Sequence, residues 1–170
     1  TVRCDDGKPF HTLPDWENLQ DLDADDNCLY LFYSTGIVAC YDRDTRQLLY
    51  TSQSPMLAPF DKEDEPVQVC PYEDYENTSL VVRGADGLFY QLRGGKRYIF
   101  LCFNPDNREW RTIFETSTGA FHSLCVPDDE SALIGCPTGV WSIGLQTGEM
   151  MLHSAIETVG GDTWQTGINS

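Results

Sequence analysis

The feature that most constrains the fold is a strand, turn and strand pattern that occurs three times in the chain. Each occurrence has an apolar run, a turn ending in Gly, a second apolar run, a polar turn and a third apolar run. The turn glycines Gly36, Gly87 and Gly139 are 51 and 52 residues apart. The runs are rich in strand-favouring Val, Ile, Tyr and Phe, and Thr-Gly and Asp-Gly suit hairpin turns. The sequence therefore predicts an all-β chain of antiparallel meanders in repeats of about 50 residues.

The repeats set the predicted organisation of the chain, which we take as a single domain over residues 1–170. Further strand candidates lie between the repeats, notably Phe121–Val126, while residues 15–22 could form two turns of helix. The predicted units are about 28–78, 79–130 and 131–152, with the terminal segments 1–27 and 153–170 sharing a closing unit.

The repeats resemble the blades of known β-propellers. The run IGCPTGVWSIGLQTGEMML resembles the blade repeat of quinoprotein and WD-repeat propellers, and IFLCFNPDNREWRTI is similar to the blade hairpin of kelch and F-box-associated propellers. Four short strands in each period is the size of one blade. The resemblance implies a small propeller, either four-bladed and closed by the termini or incomplete.

A second resemblance covers a shorter part of the chain. TGIVACYDRDTRQLLY, followed by MLAPF, resembles a strand, turn and strand of the SUKH superfamily, which includes betaherpesvirus early tegument proteins and bacterial immunity proteins. This resemblance implies an intracellular α+β antagonist of a host or toxin protein. Appreciable helix content would favour this alternative.

The charge of the chain bears on its partners. Lys and Arg number 11 against 27 Asp and Glu, which gives a net charge of −16. Such a charge opposes binding to duplex nucleic acid and to anionic lipid. The sequence has no apolar run long enough to span a membrane and no signal-peptide pattern at Thr1. We expect a basic or neutral protein partner, with no role for nucleic acid or membrane.

The sharpest candidate for that partner surface is an acidic segment that contains tyrosines. Carboxylates would steer the encounter and tyrosines would supply apolar area. The alternative interpretation is an exposed loop between repeats. The predicted partner-binding residues are Asp61, Glu63, Asp64, Glu65, Tyr72, Glu73, Asp74 and Tyr75.

Alternating carboxylates precede the first repeat. Asp21, Asp23 and Asp25 form a D-x-D-x-D run, and oxygen ligands alternating in a loop suit a hard cation such as calcium. The run lacks the Gly and Glu of a helix-loop-helix calcium site. A solvated acidic turn and a contact for a basic partner are the alternatives.

Basic residues concentrate in the second repeat, and from residue 112 onward the chain has no Lys or Arg. Arg93, Lys96 and Arg97 in RGGKR could bind an anion, because glycine amides flanked by cations can cradle a phosphate. A β-hairpin turn explains the same residues. The asymmetry also suggests that this repeat meets an acidic surface, either the chain's own loops or a second copy in self-association.

No arrangement of residues predicts a reaction or a cofactor. The sequence has no G-x-S-x-G, no H-E-x-x-H and no cysteine pair with zinc-ligand spacing, so we expect a non-enzymatic protein without a cofactor. An enzyme with a site built from loops at one propeller face is the alternative. Cys28, Cys40 and Cys102 lie in apolar runs and are predicted to be small buried hydrophobes, although disulfide bridges stay possible.

The compartment is left open by the sequence. Buried cysteines favour an intracellular protein slightly, whereas the Asn77-Thr78-Ser79 glycosylation sequon and the Thr1 start favour secretion.

Overall fold

The computed structural model describes residues 19–56, 78–95, 97–117, 121–137, 139–155, 158–159 and 162–163. The chain divides into two compact units, Thr1–Tyr72 and Glu73–Ser170. The described strands form three four-stranded antiparallel sheets and one two-stranded ribbon, and no described residue is helical. The prediction of an all-β chain is confirmed. Within these ranges no helix is long and apolar enough to cross a membrane.

The first sheet is a meander of four consecutive strands in the first unit. Its strands are β1 (Leu19–Ala24), β2 (Cys28–Tyr33), β3 (Ile37–Asp42) and β4 (Leu48–Gln53), hydrogen-bonded in chain order. One face of the two inner strands packs Leu31, Tyr33, Ala39 and Tyr41 into a core. The two turns of helix that the sequence allowed over residues 15–22 do not form from Leu19 onward, because alternation of half-buried and exposed residues selects a strand there.

The second unit holds two more meanders of the same kind and the short ribbon. The second sheet comprises β5 (Thr78–Arg83), β6 (Phe89–Gly94), β7 (Tyr98–Asn104) and β8 (Glu109–Thr116). The third comprises β9 (Ser123–Cys125), β10 (Ser131–Cys136), β11 (Gly139–Gly144) and β12 (Met150–Ala155). The ribbon pairs β13 (Thr158–Val159) with β14 (Asp162–Thr163). The strand predicted within Phe121–Val126 is β9.

The second and third sheets share one hydrophobic core. Alternate residues of β6 and β7, including Tyr90, Phe100 and Cys102, pack with Ile134 and Ile143 of the third sheet. The first strands of the two sheets, β5 and β9, also lie against each other. The two meanders are therefore layers around apolar side chains that both supply.

Each sheet joins its third and fourth strands through the same turn. A residue with positive φ occupies the same place in all three turns: Arg46, Arg108 and Gly148. Its N–H donates to the carbonyl four residues earlier, on Asp42, Asn104 or Gly144. The second of these turns lies within NPDNREW, where the sequence predicts a turn. The common turn gives the three sheets the same hairpin geometry.

The turn glycines that suggested the repeat do not occupy equivalent places. Gly36 lies between the second and third strands of its sheet and Gly139 begins the third strand of its sheet, whereas Gly87 lies between the first and second strands. The middle occurrence of the pattern is therefore displaced by one hairpin relative to the other two. Equivalent turns recur at uneven intervals along the chain, because the connection between β4 and β5 is longer than that between β8 and β9.

The described part of the predicted closing unit lies in two places. Leu19–Ala24, from the N-terminal segment 1–27, is the first strand of the first sheet, and residues 153–155 complete β12. Each four-stranded sheet thus forms from one continuous stretch of chain.

Candidate functional site

The aspartate run ends in a turn that uses its last carboxylate for structure. Asp21 and Asp23 lie on β1, and the Oδ1 atom of each accepts from the N–H of the next residue at 2.8 Å. Asp25 lies in the turn after β1, where Oδ1 accepts from the Cys28 N–H at 2.7 Å and Oδ2 accepts from the Tyr30 hydroxyl at 3.1 Å. The part of the chain that is described contains no group of three side chains able to hold a metal ion. This geometry gives the calcium hypothesis no support.

The basic hairpin RGGKR keeps its described cations inside. Arg93, on β6, is 1% exposed, and Arg97 is 9% exposed with its guanidinium 4.0 Å from the Glu115 carboxylate. Lys96 lies outside the described residues. An anion cradle needs cations that reach solvent, so the burial of these two arginines argues for a structural role in the hairpin.

The predicted partner-binding segment lies outside the described residues. This applies to Asp61, Glu63, Asp64, Glu65, Tyr72, Glu73, Asp74 and Tyr75. A second concentration of carboxylates, which the sequence reasoning missed, is visible in the sheets themselves.

Each sheet carries most of its carboxylates at one end. We call this the turn end: the end where the first strand joins the second and the third joins the fourth. At the opposite end, where the second strand joins the third, the described residues are 34–36, 95, 97 and 137, and none of these is acidic. The turn-end carboxylates are Asp25, Asp26, Asp42 and Asp44 in the first sheet, Asp86, Asp106 and Glu109 in the second, and Asp128, Asp129, Glu130 and Glu149 in the third.

The turn end of the third sheet is the most strongly acidic of the three. Asp128, Asp129, Glu130 and Glu149 are all exposed. A hydrogen bond of 2.8 Å from the Leu145 N–H to the Glu130 carbonyl joins the two turns that carry them. The first and second sheets place arginines among their turn-end carboxylates, whereas the third sheet has no Lys or Arg. Its negative charge is therefore not neutralised by its own residues.

Two turn-end carboxylates are held in the charged state by hydrogen bonds. The pKa of Asp42 lies below its usual value because the Thr45 backbone N–H and then the Thr45 hydroxyl donate to it. The pKa of Asp128 is lowered chiefly by the Ser131 N–H, which donates at 2.7 Å, and then by the Glu130 N–H. Such bonds favour the carboxylate over the acid. The turns thus fix negative charge at defined positions.

A row of titratable side chains crosses the first sheet. Asp23, Tyr30, Cys40 and Tyr50 stand directly opposite one another on the four strands. Burial raises the pKa of the Tyr30 phenol and raises that of the Cys40 thiol to about 12. Both groups are protonated at neutral pH, and a protonated thiol is a poor nucleophile.

The second sheet has a similar row of titratable side chains, in which an arginine stands on the fourth strand where the first sheet has Tyr50. Tyr90 of β6, Cys102 of β7 and Arg111 of β8 stand opposite one another, and the Tyr90 hydroxyl donates to Asp86 at 2.8 Å. Burial raises the pKa of the Cys102 thiol, and the Arg111 charge partly offsets this effect. Cys102 is buried, as the sequence predicts. Neither row places an activated nucleophile in the described part of either sheet.

Comparisons with known proteins identify no family for this chain. No family model matches it, and no curated protein matches it. Among solved structures, it is similar to a provisional 6-phosphogluconolactonase from Bacteroides uniformis, with a TM-score of 0.42 and 18% identity over 74% of this chain. The chain spans 36% of that structure's length. The name of that protein stands in tension with the expectation of a non-enzymatic protein, but a likeness this distant carries no argument about activity.

Proposed function

We propose that this protein is a non-enzymatic interaction module that binds a basic or neutral protein through its acidic turn ends. The observation that carries the proposal is the turn end of the third sheet. Its exposed carboxylates Asp128, Asp129, Glu130 and Glu149 stand together without a cation from the same sheet. A surface of one sign steers an oppositely charged partner and fixes its orientation.

The acidic segment 61–76 adds to the same proposal. Its carboxylates and its tyrosines Tyr72 and Tyr75 supply the charge and apolar area of a recognition surface. Face-to-face packing of the second and third sheets, with β5 against β9, supports a propeller-like arrangement as the scaffold. Rigid sheets with variable turns are a common way to present such surfaces.

Two matched variants test the proposal. The turn variant is Asp129→Asn, Glu130→Gln and Glu149→Gln, and the strand variant is Asp21→Asn, Asp23→Asn and Glu115→Gln. Both remove three carboxylate charges, but only the turn variant removes them from the turn end of the third sheet. Circular dichroism checks that each variant folds. Each protein is then used to capture partners from a cell extract at low and high salt, and the retained proteins are quantified by mass spectrometry.

The wild type should retain a stoichiometric protein partner at low salt and release most of it at high salt, because salt screens exposed charges. The turn variant should lose most of that retention and the strand variant should keep it. Equal retention by the turn variant and the wild type would overturn the proposal. Failure of the wild type to retain any protein at low salt would do the same.

A further inference from the structure

Two cysteines of the first sheet occupy neighbouring positions on one face. Cys28 begins β2 and stands opposite Asp42, while Cys40 of β3 stands opposite Tyr30. Cys28 and Tyr30 are two residues apart and therefore point to the same face of the sheet. The two cysteines are thus diagonal neighbours across the β2–β3 pair.

The side chains of these two cysteines interact with each other. The Cys40 side chain hydrogen-bonds with the Cys28 side chain and with that of Tyr50, which stands opposite Cys40 on β4. Cys40 is 0% exposed, whereas Cys28 is half-buried. A reagent from solvent therefore meets Cys28 first, with Cys40 directly behind it.

We propose that Cys28 and Cys40 are a dithiol pair that closes to a reversible disulfide when a small-molecule disulfide reacts with Cys28. In the first step the Cys28 thiolate attacks one sulfur of the small disulfide, forms a mixed disulfide and expels one small thiolate. In the second step the Cys40 thiolate attacks the Cys28 sulfur and expels the other small thiolate. The two released thiolates take up the protons lost by Cys28 and Cys40. Two protein thiols are oxidised and one small disulfide is reduced.

The environment of Cys40 determines the order and speed of these steps. Burial raises the pKa of its thiol to about 12, and the hydrogen bond with Tyr50 partly offsets this effect. Little thiolate is present near neutral pH, so the second step is slower than the first and accelerates as pH rises. The mixed disulfide on Cys28 therefore forms first and then decays into the closed form.

The position of the pair makes the closed form strained and reversible. Diagonal neighbours lie farther apart than directly opposite residues, and a disulfide needs closely spaced Cα atoms. A register shift between Cys40 and Tyr41 increases the local twist. Cys28 lies next to the turn, where its N–H donates to Asp25. Closure would pull on that hydrogen bond, and strained disulfides are easily reduced.

The second sheet supplies an internal control for this chemistry. Cys102 stands opposite Tyr90 as Cys40 stands opposite Tyr30. The residue two positions before Tyr90 is Leu88, where the first sheet has Cys28 two positions before Tyr30. Cys102 therefore has the same kind of strand position and the same burial, without a second thiol at the diagonal position.

The experiment follows the fate of each thiol in the folded full chain. A Cys125→Ser background removes the exposed thiol of β9, which could link two molecules. The protein is incubated with oxidised glutathione at mildly alkaline pH, quenched in acid, denatured and alkylated with N-ethylmaleimide. Mass spectrometry of its peptides then identifies each cysteine as linked, glutathionylated or alkylated.

We expect a transient glutathione adduct on Cys28, followed by a linked Cys28–Cys40 peptide that dithiothreitol reverses. Cys102 should remain fully alkylated. In Cys28→Ser, a mild change at the start of a strand, the linked peptide should be lost and Cys40 should be alkylated like Cys102. Persistence of the glutathione adduct without closure would overturn the proposal, as would alkylation of both Cys28 and Cys40 in the wild type.

Discussion

The second and third sheets have the same topology but are buried to different extents. Every residue of β6 is buried, and so is every residue of β7 except the last. In β10, buried and half-buried residues alternate. The two sequences reflect this difference in burial. YIFLCF in β7 is apolar at every position. In SALIGC of β10, the buried Ala132, Ile134 and Cys136 alternate with the half-buried Ser131, Leu133 and Gly135. Continuous apolar runs are typical of strands covered on both faces, and alternation is typical of strands covered on one.

The difference explains why Arg93 of the second sheet is buried. Because both faces of β6 are covered, even its polar residues are buried, and Arg93 is among the largest fully buried side chains. The third sheet leaves one face more open, with Met151 60% exposed. Arg93 is therefore a structural side chain inside the covered second sheet, whereas the more open third sheet keeps its acidic turns exposed.

Truncation of a core side chain should give the largest difference in stability between the two sheets. Phe100 of β7 is 0% exposed and contacts the rings of Tyr90 and Phe114. Phe100→Ala should lower the free energy of unfolding by about 3–5 kcal/mol, because it removes buried area and leaves a cavity. Met151→Ala, on the more open sheet, should change it by less than about 0.5 kcal/mol. Urea denaturation measures the free energy of unfolding of both variants. Equal losses of stability in the two variants would contradict this prediction.

A smaller effect is expected where the two sheets are joined by a hydrogen bond. Arg111 of β8 donates through Nη1 to the Leu145 carbonyl, after β11, at 2.7 Å. Arg111→Met keeps most of the apolar stem but removes this charged donor, so we expect a loss of about 1.5–3 kcal/mol. Arg111→Lys serves as the control and should recover part of the loss in the same denaturation experiment. A loss below 0.5 kcal/mol, roughly the level of a surface change, would show that this bond does not hold the sheets together.

The turn between the third and fourth strands has a residue with positive φ in both sheets. Substitutions at this position should change the free energy of unfolding in opposite directions in the two sheets. Gly148 has φ of 70°, and an added Cβ would lie 2.5 Å from the Ile113 carbonyl oxygen of β8. Gly148→Ala should therefore lower the free energy of unfolding by at least about 1–2 kcal/mol. Arg108 has φ of 65° at the equivalent position, where Arg108→Gly should be neutral or stabilising by up to about 1 kcal/mol. Thermal unfolding of both variants gives the sign, and destabilisation by Arg108→Gly would contradict this account.

These turns also show how far the sequence could predict the fold. Apolar runs and turn residues predicted the all-β class and most strands, because strand propensity and hairpin chemistry are local properties. The alignment of the middle occurrence failed because the second sheet has a glycine in two successive turns, Gly87 between β5 and β6 and Gly95 between β6 and β7, and only the second of these is equivalent to Gly36. Glycine therefore marked a different hairpin in the second sheet.

The candidate sites were harder to predict for a related reason. The burial of Arg93 and Arg97 depends on side chains that are distant in sequence, and a local run such as RGGKR carries no sign of it. The turn-end carboxylates looked unremarkable singly, because each is an ordinary turn residue. Their concentration at one end of each sheet follows from the strand order, which the displaced alignment obscured.

The smallest expected effect concerns the acidic turn of the third sheet. Asp128 accepts from the Glu130 and Ser131 N–H groups and from the Ser131 hydroxyl. Its pKa is lowered in the folded protein, so its charged form adds stability above the unfolded pKa of about 3.9. That contribution is lost as pH falls through the lower folded pKa. Asp128→Asn should thus weaken the acid dependence of the unfolding midpoint below about pH 4.

Asp129→Asn is the control for this prediction, because it removes the same charge from the same turn without these hydrogen bonds. Its unfolding midpoint should follow that of the wild type as pH falls through the same range. If Asp128→Asn and Asp129→Asn behave alike, general charge repulsion sets the acid response of this turn. If only Asp128→Asn flattens the curve, the hydrogen-bonded carboxylate carries the response, and the acidic turn end is an ordered element of the third sheet with its charge fixed in place.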